Sequence, residues 1–139
     1  MYDLWLVTHF LGLALAVGTG FAMLTLGLAT ADMPPADRGA FMRRAFALSR
    51  NGSVGLLLLI VSGVGLTLTL GLDVVMAIGM FHVKLTLIVI LIGVFGYMQV
   101  QMRKAKSGDA AAMARIPMIG RIMLLLGIGI VTVAVLAFH

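Results

Sequence analysis

The chain has 139 residues, 62% of them hydrophobic and only 11% charged, with a mean hydropathy of +1.16 and a net charge of +5. Soluble domains average about 45–50% apolar and about 25% charged residues, so this composition reads as one integral membrane domain. The absence of cysteine excludes disulfides, thiolate metal sites, iron–sulfur clusters and a covalently attached c-type haem. The positive charge is read as the bias of cytoplasmic loops, and no nucleic-acid partner is expected.

Four apolar runs follow one another, at about 4–29, 52–72, 74–100 and 117–138. Each reaches the roughly 20 residues that a helix needs to cross the hydrocarbon core. With their polar extensions the expected helices are about 4–29, 40–72, 74–104 and 112–138. Asp3 stands where a basic leader region would be, so no cleavable signal is expected. Pro34 and Pro35 stop the first helix, and Phe41, Met42, Phe46 and Leu48 among arginines read as an interfacial extension of the second. Little more than Gly71-Leu72-Asp73 separates the second and third runs, which makes them antiparallel neighbours. Pro117 fits the first turn of the fourth helix. The expected fold is all-α: an antiparallel four-helix transmembrane bundle.

Every Lys and Arg except Lys84 lies in or just beside the first and third connections. The positive-inside rule then places both termini outside and both long connections in the cytoplasm. For a bacterial chain, the membrane is the inner (plasma) membrane. In that topology His9, His82 and His139, the only histidines, lie toward the outer face. His139 reads as a solvated end.

His9 and His82 are expected about 8 and 12 Å into their helices, near enough in depth to face each other across the bundle. Ionisable groups inside a membrane are costly and mark sites by default. Below His9, Gly12, Ala16, Gly20, Met23 and Gly27 form a thin stripe, which suits close helix packing or a flat cofactor. Thr86, Val89, Gly93 and Gly96 form a similar stripe below His82. Lys84 lies about 200° round the helix from His82, so it points elsewhere, to the interface or to an anionic group such as a porphyrin propionate. The candidate cofactor residues are thus His9, His82, Lys84, Gly12, Ala16 and Thr86, with His9 and His82 as metal ligands. Three readings stay open: b-type haem between the histidines, copper on His82 with Met76 or Met80, and metal-free packing. The glycine-rich faces also leave room for a homo-oligomer.

The chain resembles the HemJ family of bacterial membrane protoporphyrinogen IX oxidases over nearly its whole length. Tyr2-Asp3-Leu4-Trp5 followed by His9, Phe41-Met42-Arg43-Arg44, Phe81-His82-Val83-Lys84-Leu85, Gly93-Val94-Phe95-Gly96-Tyr97 and Ile116-Pro117 carry the resemblance. It implies a small four-helix protein with b-type haem on a histidine and His9, His82 and Lys84 at functional positions. The chain departs from the family at Ala16, where a tryptophan is usual, and at Met23 to Leu28, where an arginine and further histidines are usual. The outer histidine site is retained and the inner polar cluster is mostly gone. The function expected is haem-based electron transfer on this scaffold, with a quinone or a porphyrinogen as partner, or protoporphyrinogen IX oxidation itself. The membrane domain of copper-resistance D-type proteins has a similar helical plan.

Overall fold

The computed structural model describes residues 1–139, and it is helical almost throughout, with no strand. Four helices are long and apolar enough to cross a membrane, which is the make-up of a multi-pass membrane protein. Helix α1 spans Tyr2–Ala29, and α2 spans Pro35–Ala45. A 3₁₀ turn, Phe46–Leu48, joins α2 to α3 at Ser49–Leu70. A single-turn helix α4, Leu72–Met76, precedes α5 at Gly79–Lys106 and α6 at Ala110–Phe138.

Local chemistry accounts for the boundaries. Pro35 is the first residue of α2, where its missing N–H is no loss, so this helix starts five residues earlier than the prolines suggest. Gly71 and Gly108 take φ values of +95° and +101°, and they make the two tight turns. Asp109 caps α6, its carboxylate accepting from the N–H groups of Ala111 (3.0 Å) and Ala112 (3.2 Å). Helix α6 therefore starts before Pro117, which lies inside the helix and not at its first turn. The third apolar run is broken at Ala77 and Ile78, so the helix that carries His82 starts at Gly79 instead of about 74.

Two helix pairs, α1 with α3 and α5 with α6, form the structure, and α1 against α6 joins them. Helices α3 and α5 barely touch. The α1–α3 seam is set by glycine. A Cβ on Gly55 would lie 2.6 Å from the Ala16 nitrogen, and one on Gly12 would lie 2.9 Å from the Gly55 oxygen. Gly65 makes the same kind of room for the Trp5 ring. At the far end, Phe46, Met102, Ala105, Ala112 and Ile116 close the structure with a small core. Only 17 of 139 residues are buried, so most apolar side chains face outward, the surface that lipid covers in a membrane protein.

Alanine at Gly55 overpacks the seam, a change that costs about 1–3 kcal/mol. The unfolding midpoint of G55A in detergent should fall by about 3–10 °C. The midpoint of G63A should hold, since a Cβ there meets nothing nearer than His9 Cε1 at 3.7 Å. Equal midpoints for the two variants would rule out the close seam.

Candidate functional site

Because α3 and α5 stay apart, the two helix pairs enclose a cleft of about 1270 Å³ that runs most of the length of the helices. Its walls are largely apolar. Its polar groups gather at the two ends: His9 and Lys84 at one, Arg38, Gln99 and Arg121 at the other. No Asp or Glu lines it.

His9 is held from the α3 side. Its Nδ1 lies 2.9 Å from the Oγ of Ser62, a fully buried residue. The Ser62 hydroxyl also makes a short hydrogen bond to the Leu58 carbonyl, one turn earlier. A serine has one hydrogen to give. A carbonyl can only accept, so the hydroxyl proton goes to Leu58 and His9 donates from Nδ1 to Ser62 Oγ. In the neutral ring this leaves the Nε2 lone pair available. Orientation of one imidazole nitrogen by a hydrogen bond at the other is the arrangement that metal-ligating histidines use. Gly63 leaves space beside the ring, with His9 Cε1 3.7 Å from where a Cβ would stand.

On the other wall Lys84 is half-buried, and its Nζ lies 5.9 Å from the centre of the Phe138 ring. That is the outer limit of a cation–π contact. With no acid in the cleft, the ammonium has no carboxylate there to pair with.

His82 is not brought to this site. It is exposed, and its Nε2 lies 3.0 Å from the Met76 carbonyl, to which it must donate. A histidine-to-histidine pairing across the cleft is therefore absent. The about 200° between His82 and Lys84 decides which of the two faces inward, and it is Lys84. Thr86, exposed, bonds to its own helix through the His82 carbonyl at 2.9 Å. The stripe below His82 faces outward as well: Gly93 and Gly96 have nothing within 4 Å of a Cβ. The bulkier Leu85, Ile88 and Phe95 line the cleft instead. On α1 the expected stripe does face the cleft at Ala16, Gly20, Met23 and Gly27, whereas Gly12 is buried in the seam with α3. A copper site on His82 would first have to displace the Met76 carbonyl from Nε2. No group of three or more histidines and carboxylates has the arrangement of a metal site.

Ser62 is the candidate-site residue that a reading of the sequence misses. Its signal was available, since a serine within an apolar helix needs a partner and His9 is at matching depth. Of the buried side-chain polar atoms, Gln101 Oε1 is the one without a partner, and Gln101 does not line the cleft. No protein-family model matches this chain, and no curated protein or solved structure matches it.

The His9 tautomer can be read by ¹⁵N NMR of histidine-labelled protein. The expected result is Nδ1–H in the native chain, with that preference lost in Ser62→Ala. A native His9 protonated on Nε2 alone would contradict the hydrogen-bond assignment.

Proposed function

We propose that this chain is an antiparallel, N-out/C-out protein of the inner membrane that binds b-type haem in the cleft and transfers electrons, on a HemJ-like scaffold. The observation that carries the reading is the pairing, at one end of a large apolar cleft, of His9, held through Nδ1 by Ser62, and Lys84 with no acid lining the cleft beside it. A tetrapyrrole with a metal at its centre and carboxylates at its edge asks for those two groups together.

The residues divide the work. His9 would hold the haem iron through its imidazole, with Ser62 fixing the ring. Lys84 would receive a propionate, a charge-assisted contact that is stronger than a neutral one. Ala16 and Gly20 keep the α1 wall thin beneath the histidine. Haem supplies a one-electron iron couple, whose potential the ligand and its burial would tune. His82, bonded to Met76, is outside the ligand set in this reading.

A second reading is that the chain oxidises protoporphyrinogen IX, as the resemblance implies. The gap between α3 and α5 favours it, because a membrane-dissolved macrocycle could enter the cleft sideways through that opening. Complementation of an oxidase-deficient strain tests it. Growth with native protein and none with Lys84→Met would support it, and no growth with well-expressed native protein would reject it.

For the haem reading the test is a visible spectrum of purified protein, oxidised and dithionite-reduced. A Soret band is expected in the native protein and in His82→Ala, and none in His9→Ala. Lys84→Met should weaken haem binding by about 10- to 100-fold, the loss expected for one charged hydrogen bond. A colourless protein made with ample haem, or a band lost in His82→Ala and kept in His9→Ala, would overturn the assignment.

A further inference from the structure

The cleft is larger than one occupant at its His9 end requires. Its volume of about 1270 Å³ exceeds the roughly 300–1,000 Å³ of ordinary small-molecule pockets. It continues past Gly20 to a second cationic stretch, which begins with Arg121 and ends with Arg38.

These two arginines line the same part of the cleft. Arg38 is half-buried, and its Nη2 donates to the Gly27 carbonyl at 3.2 Å. On α6, Gly127 lies against Val17, and Leu124 lies against Gly20. That register puts Arg121 level with Met23, about 6 Å along α1 from Gly27. Along that stretch of the cleft each guanidinium offers a phosphate charge-assisted hydrogen bonds. Arg43, Arg44, Arg50, Arg103, Lys104, Lys106 and Arg115 occupy the same end of the chain but do not line the cleft. Between the two ends the wall is apolar, and the side between α3 and α5 is open. A cationic end, an apolar trough and a sideways opening match an acidic phospholipid: phosphate at the arginines, acyl chains along the trough.

We propose that the Arg38–Arg121 end of the cleft is a binding site for one acidic phospholipid, drawn from the leaflet at that end, with its acyl chains lying in the cleft. This does not rest on haem at the other end.

The test uses full-length protein in phosphatidylcholine vesicles with spin-labelled phosphatidylglycerol or spin-labelled phosphatidylcholine as probe. Electron paramagnetic resonance reads the immobilised fraction. The native protein should prefer phosphatidylglycerol by roughly fivefold for each contributing cation. Arg38→Gln with Arg121→Gln should abolish the preference, and Arg43→Gln with Arg44→Gln should keep it. Arg121→Gln alone, which breaks no hydrogen bond within the protein, should remove part of it even if the double variant misfolds. His9→Ala should keep it while losing any haem spectrum, so the two readings fail separately. Equal immobilisation of both lipids by native protein, or an equal fall in the Arg43/Arg44 variant, would overturn the site. So would displacement of phosphatidylglycerol by millimolar inorganic phosphate, since a free-anion site needs no acyl chain.

Discussion

The approach of the α1 and α3 backbones at Gly12 and Gly55 is the constraint on which the rest of the structure depends. In hydrocarbon there is no large hydrophobic drive between helices, so association relies on close packing and hydrogen bonds. Here both act on the same pair. Glycines let the backbones meet, and a turn or two away Ser62 and His9 bond across the seam at 2.9 Å. The hydrogen bond sits where it can be short because the glycines have already brought the helices together. The seam is therefore both the strongest contact and the mount of the candidate ligand.

The open side follows from the same arrangement. α1 is committed to α3 on one face and to α6 on another, while α5 is held by α6. Nothing draws α3 to α5, whose facing side chains are bulky and apolar, Leu59 and Ile60 on one and Leu85 and Ile88 on the other. The core around Phe46 and Ile116 adds a further tie between the pairs at the far end. The result is a cleft closed on one side by glycine packing and open on the other, the shape suited to an occupant that arrives through the bilayer.

Composition made the membrane class and the four spans readable, because twenty apolar residues in a row have few other uses. The inward face of α1 was readable too, as small residues below a histidine. The inward face of α5 was not. Its thin stripe, His82 to Gly96, looks like that of α1, but small residues favour a helix contact only if a partner is there to approach. α5 is mounted on α6 through a different face, so the glycines look outward and the choice between His82 and Lys84 falls to Lys84. That choice is a rotation about the helix axis, and it depends on where α5 begins. The break at Ala77–Ile78 sets the start, a local event that hydropathy does not register.

The charges in the cleft bear on which partner classes suit it. A neutral quinone needs one or two hydrogen-bond donors and gains little from an unpaired ammonium. Half-burying Lys84 without an acid is costly, and that cost makes sense when an anion completes the site. The same holds for Arg38 at the other end, which gives one N–H group to Gly27 and keeps the rest for something else. A cleft with cations at both ends and no acid anywhere along it would suit amphipathic acids. Tetrapyrroles with propionates and phospholipids with phosphates both belong to that class, and the two ends differ in the one respect that separates them: only the Lys84 end has an imidazole to offer a metal.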